Sequence, residues 1–177
     1  MKRMFFILPL LFTMAFNGNA QEKAKVIVNG LQVCDMYTRA QMYEALGGVP
    51  NKIEEEIEDP GSFSFYYGKD MFYWRYEGLD AYKDGINNHC FGGCQIYTDR
   101  YVVFDSIRVG DPIEKLKTVP GIIENHPRKY KDGKEVEGGY IKWYQSEELR
   151  KDYIWVTFHY DESTQTINYI HVMYNFL

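Results

Sequence analysis

From Tyr153 to Tyr160 the chain reads Tyr-Ile-Trp-Val-Thr-Phe-His-Tyr, with Ile154, Val156, Phe158 and Tyr160 in one row and Tyr153, Trp155, Thr157 and His159 in the other. Successive side chains of a strand point to opposite faces, so this period of two admits an extended strand. It excludes a helix, whose apolar residues recur every three or four positions. The first row suits a covered core. The second is aromatic and polar at once, and two neighbouring segments extend it. Thr166 to Phe176 brings Tyr169, His171 and Met173 to that face if the chain turns at Asp161–Thr164, and Tyr140 to Gln145 brings Tyr140, Lys142 and Tyr144. A chain with 16 Tyr and 11 Phe has the composition that strands favour. Such a face either stays open to a partner or packs against another part of the chain, because apolar patches above a few hundred Å² rarely remain bare.

Two five-residue motifs organise the rest. Leu31 to Asp35 reads LQVCD and Ile107 to Asp111 reads IRVGD, and each opens a short helical pattern followed by aromatic-rich alternation. After the first, Thr38 and Gln41 stand in the capping-box spacing, Met42, Ala45 and Leu46 form an apolar stripe, and Gly47, Gly48 and Pro50 end the helix. After the second, Asp111 takes the cap, Pro112 the first helical position and Glu114 the third. Leu116 and Val119 supply the stripe, and Pro120-Gly121 the stop. Three antiparallel strands follow each helix. In the first half they are Phe63–Tyr67, Phe72–Glu77 and Gln95–Phe104, and in the second Tyr140–Gln145, Tyr153–Tyr160 and Thr166–Phe176. The expected fold is therefore α+β, two tandem helix-plus-antiparallel-sheet repeats spanning residues 21–105 and 106–177, with the helices packed on one face of the sheet.

Residues 1–20 have the three regions of a secretory signal peptide: basic Lys2 and Arg3, an apolar run from Met4 to Phe16, and small Gly18 and Ala20 at the cleavage positions. The run contains Pro9 and is shorter than the roughly 20 apolar residues of a membrane span. The expected location is periplasmic or secreted, with no membrane span. Loss of the leader leaves 18 basic against 25 acidic residues, a net charge of −7. Nucleic-acid binders are usually basic because they neutralise phosphates, so nucleic acid is excluded as the expected partner.

The stretch Thr38-Arg-Ala-Gln-Met-Tyr-Glu-Ala-Leu-Gly47, continuing to Pro50, and the stretch Ile107-Arg-Val-Gly-Asp-Pro112, continuing through Leu116 to Gly121, resemble the SmpA/OmlA family of small outer-membrane assembly proteins. The tandem arrangement is similar to the β-lactamase inhibitor protein (BLIP) family, which repeats such a unit and grips a target enzyme with an aromatic-lined sheet. The chain departs from the pattern at Cys34, where a glycine is expected, at Gly48-Val49 before Pro50, at Pro112 and at Val119–Gly121. The resemblance implies a BLIP-like sheet and a protein partner.

Cys34, Cys90 and Cys94 are the only cysteines. In an oxidising compartment, one disulfide and one remaining thiol are the arithmetic expectation. Cys90–Cys94 is the favoured pair because Gly92 and Gly93 would let the short loop close, with a Cys34 bridge as the alternative. No fourth ligand accompanies His89, Cys90 and Cys94 at metal-site spacing, and no nucleophile elbow, phosphate loop or HExxH motif is present. No cofactor, metal or catalytic residue is expected.

The functional expectation is a non-catalytic protein-binding protein, inhibitor-like or an envelope assembly factor, with Tyr144, Tyr153, Trp155, His159 and Tyr169 as contact anchors. The alternative is a glycan-binding module or carbohydrate-active enzyme with Tyr73, Trp74, Trp143 and Trp155 as stacking platforms. A thiol-redox protein is a third reading.

Overall fold

Asn29 and Gly30 both take positive φ, 49° and 86°, the tight turn that an Asn-Gly pair favours. Across it β1 (Ile27–Val28) pairs with β2 (Leu31–Gln32). In this computed structural model residues 25–55, 62–75, 88–131, 134–137, 139–145 and 154–174 are described. The expected leader at residues 1–20, and Tyr153, lie outside them. Beyond the hairpin come β3 (Met36–Thr38), α1 (Arg39–Leu46), β4 (Lys52–Glu55), β5 (Ser62–Tyr67), β6 (Asp70–Arg75) and β7 (Asn88–Ile96). A 3₁₀ helix (Ile113–Thr118) precedes β8 (Ile122–His126), β9 (Lys129–Lys131), β10 (Lys134–Glu137), β11 (Tyr140–Tyr144), β12 (Ile154–Asp161) and β13 (Thr166–Tyr174).

One nine-stranded antiparallel sheet dominates, in the order β4-β5-β6-β7-β13-β12-β11-β8, with β3 added against the far part of β7. β1–β2 and β9–β10 form two separate hairpins. The inner sheet face carries Phe65, Phe72, Trp74, Phe91, Trp143, Phe158 and Ile170, all buried. Against it pack Met42 and Leu46 of α1, Val28, Leu31 and Val33 of the hairpin region, Tyr101, Val103 and Ile107 of the following loop, and Leu116 of the 3₁₀ helix. Burying an aliphatic side chain of this size contributes about 1.5–3 kcal/mol, so this shared cluster is the main source of stability. Polar contacts fix the helix over the sheet, since the Tyr67 hydroxyl donates to Gly48 O at 2.8 Å and the Tyr101 hydroxyl to Leu46 O at 3.2 Å.

The expectation of two helix-plus-sheet repeats is overturned. The described residues form a mostly antiparallel β structure with a single eight-residue α-helix and one 3₁₀ helix of six residues. α1 follows its sequence signals: Thr38 Oγ1 accepts from Gln41 N at 3.3 Å, Gln41 Oε1 accepts from Thr38 N at 2.9 Å, and Gly47 closes the helix in the left-handed region at φ 90°. Its supposed counterpart has no side-chain cap. Asp111 instead accepts from Arg108 N at 2.8 Å and pairs with Lys115 Nζ at 2.9 Å, so it stabilises the preceding turn rather than a helix end. Leu116 is nevertheless buried, as the apolar stripe requires.

The likeness of the two motifs lives in the turns. Cys34 (φ 73°) and Gly110 (φ 92°) occupy the same position of their motifs, both left-handed. Asp35 N donates to Gln32 O, and Asp111 N to Arg108 O, each at 3.2 Å.

Cys90 and Cys94 are not joined. Both lie on β7, where Cys94 faces the core opposite Phe72 and Val172, while Cys90 stands opposite Met36 and Arg75. Four strand positions span roughly 13 Å, about twice the Cα separation a disulfide tolerates. The Gly-Gly pair that suggested a closed loop serves another purpose. The bulge that shifts the register between Tyr73 and Trp74 falls opposite it, and Gly93 (φ 144°) lies where a Cβ would overlap the Val172 carbonyl oxygen.

Candidate functional site

On the sheet's outer face, strand register aligns His126 of β8, Tyr140 of β11, His159 of β12 and Tyr169 of β13 in one row. Their rings touch in sequence. Centroids are 4.6 Å apart for His126–Tyr140, 5.6 Å for Tyr140–His159 and 5.0 Å for His159–Tyr169. Tyr97, just past the end of β7, extends the ladder by stacking on Tyr169 at 4.4 Å and 15°. Period-two alternation delivers Tyr140 and His159 to this face. A bulge does the rest for β13, where the register shifts between His159 and Tyr160 so that Asn168 stands unmatched beside Tyr169.

Tyr97 is held from behind. Asp70, itself buried, accepts from Tyr97 N at 2.6 Å, Thr98 N at 3.1 Å and Thr98 Oγ1 at 2.5 Å. The ring is the most open of the five, at 43% exposure, while the other four are half-buried.

A second row runs through Glu124, Lys142, Thr157 and His171, and a third through Ile122, Tyr144, Trp155 and Met173. Lys142 Nζ lies 5.0 Å from the Tyr144 ring centre and 5.1 Å from that of Trp155, and burial pulls its pKa down. Burial also lowers the pKa of His159 and His171, the latter further through its proximity to His159, and raises that of Tyr169. Beside the ladder an open cleft of about 450 Å³ is lined by Tyr97, Arg128, Gly139, His159, Asn168 and Tyr169. Arg128 Nε meets Glu162 Oε1 there at 3.3 Å.

Of the expected anchors, the structure joins His159 and Tyr169 directly. Tyr144 and Trp155 are cross-strand partners two rows away, Tyr144 buried at 7% exposure and Trp155 half-buried. His126, Tyr97 and Arg128 were not anticipated as parts of this face. The Ile-Ile-Glu-Asn-His run after Gly121 was the available signal, since it bears the length and β-branching of a strand. Among the proposed sugar platforms Trp74 and Trp143 are fully buried, at 0% exposure, and cannot stack on a ligand. Among the described residues no group of three or more His, Cys, Asp and Glu is arranged to hold a metal ion, and no helix is long and apolar enough to cross a membrane.

Comparison with protein families, characterised proteins and solved structures finds no match for this chain.

Proposed function

We propose that this is an exported, non-catalytic protein-binding protein, of the inhibitor or envelope-assembly kind, that docks its partner on the outer sheet face around the ladder. The carrying observation is the row of contacting rings formed by His126, Tyr140, His159, Tyr169 and Tyr97. Rings pressed against one another on a rigid sheet lose little side-chain entropy when a partner arrives, and Tyr combines an apolar body with a polar tip, as interface hot spots do. Sugar stacking, by contrast, needs an open ring face, and the Tyr97–Tyr169 and His126–Tyr140 pairs turn one face of each ring to the other. Export is supported by the Lys2-Arg3 start, the apolar run and the Gly18/Ala20 positions.

The test compares wild type with Tyr169→Ala and Trp155→Ala for capture of proteins from an envelope extract, followed by titration with the purified captured protein. Docking on this face requires at least a tenfold loss of affinity for Tyr169→Ala with the fold intact. Unchanged affinity, or binding confined to a glycan array, overturns the reading.

A further inference from the structure

We infer that the ladder is an acid-responsive surface: protonation of His159 and His171, the two imidazoles beside Tyr169, loosens the stacking around that ring and alters the docking face. Three of the four histidines of the chain, His126, His159 and His171, stand on this one face. His159 lies between Tyr140 and Tyr169, and Tyr169 also meets His171, at 6.1 Å and 20°. One phenol ring thus neighbours two titratable rings.

The groups facing His159 and His171 do not compensate a new charge, whereas His126 has an acid beside it. From β11 comes Lys142, a cation, with the Tyr140 phenol. β8 offers Glu124, whose Oε2 lies 3.5 Å from His126 Nε2. Arg128 lines the cleft with His159, and its nearby acid Glu162 already pairs with it. Against His171 stand Gln95 of β7 and Thr157 of β12, both uncharged. The Tyr97 and Tyr169 phenols complete the surroundings. Burial holds the His159 pKa below the ordinary 6.5, and burial together with repulsion from His159 does the same for His171. An imidazolium on a phenol gains cation–π attraction, but Tyr169 is shared, so the second proton arrives against the first. Acid therefore adds the charges of His159 and His171 to those that Lys142 and Arg128 already carry on one side of the sheet. The use of this change in releasing a partner rests on the docking role proposed above, whereas the change in the ladder does not.

Imidazole nitrogen shifts and near-ultraviolet circular dichroism of the ¹⁵N-labelled protein between pH 7.5 and 4.5 test it, in wild type, His159→Phe and His171→Gln. The His159 and His171 midpoints should fall below 6.5, with the tyrosine dichroism changing over the same range while the far-ultraviolet signal stays constant. His159→Phe keeps a ring but removes the proton site. It should raise the His171 midpoint and reduce the dichroic change at least twofold. If that variant misfolds, His171→Gln must show the same twofold reduction. Midpoints at or above 6.5, or an undiminished dichroic change in the folded variant, overturn the inference. These readouts need no partner, so their failure leaves capture at pH 7.5 untouched, and failure of capture leaves them untouched.

Discussion

The buried Asp70 carboxylate accepts the backbone N–H of Tyr97 at 2.6 Å, tying the first residue of β6 to the residue that leaves β7. Thr98 adds two further donors to the same carboxylate. Hydrogen bonds to a charged group contribute about 1.5–3 kcal/mol, and a backbone N–H left buried without its acceptor adds to the loss. Asp70→Ala should therefore destabilise the protein by about 3 kcal/mol in urea unfolding. It should also release Tyr97 from Tyr169, visible as a weakened near-ultraviolet signal in the folded variant.

Tyr169 is the node of the ladder, in ring contact with Tyr97, His159 and His171. Aromatic pairs add about 0.5–1.5 kcal/mol each beyond area burial, though the half-exposed position limits the total. Tyr169→Ala should lower stability by about 2 kcal/mol with an unchanged denaturant slope. Tyr97→Ala, removing one contact from an open site, should cost about 1 kcal/mol or less.

His89 lies buried against Phe63, ring centres 4.9 Å apart, and burial with the nearby Arg39 charge lowers its pKa to about 4. The unfolded chain binds this proton near 6.5, so between pH 6.5 and 4 the unfolded state holds more protons. Stability is full above 6.5, falls as pH drops through that window and levels off below about 4. The loss amounts to about 3 kcal/mol at pH 4. His89→Phe retains a ring against Phe63, and its unfolding free energy should fall less steeply with acid than that of wild type. Parallel curves for the two proteins would refute this.

Strands with strict alternation were legible in the sequence: Ile154–Asp161 and Thr166–Tyr174 lie within two residues of the expected bounds, and the rows of β12 face as the pattern requires. β7 was not. The sequence starts this strand at Gln95 and carries it to Phe104, whereas it runs Asn88–Ile96; Asn-His-Cys-Phe-Gly-Gly reads as loop because a bulge and a close backbone approach, rather than a turn, require the glycines. β4, Lys-Ile-Glu-Glu, carries one apolar residue at a sheet edge and so has no core-facing pattern to read. The second helix failed because pattern and stop residues cannot tell a six-residue 3₁₀ turn from an α-helix. The ladder was half visible. Alternation assigns the face of Tyr140, His159 and Tyr169, but pairing with β8 and the recruitment of Tyr97 by Asp70 are tertiary.

The seam between β7 and β13 makes the sharpest prediction about the sheet. Gly93 sits opposite Met173 with φ 144°, a conformation L residues avoid, and a Cβ there would collide with the backbone of Val172 and Met173. Neither backbone can yield without opening the ladder that joins the two central strands. Gly93→Ala should therefore cost more than about 4 kcal/mol, beyond the usual range for a point change, and leave little folded protein. Gly68, also left-handed at φ 70° but with open space around its Cβ position, separates strain from collision. Gly68→Ala should cost about 1 kcal/mol and leave the thermal transition cooperative. Equal losses for the two variants would show that backbone strain, and not the contact across the seam, makes Gly93 necessary.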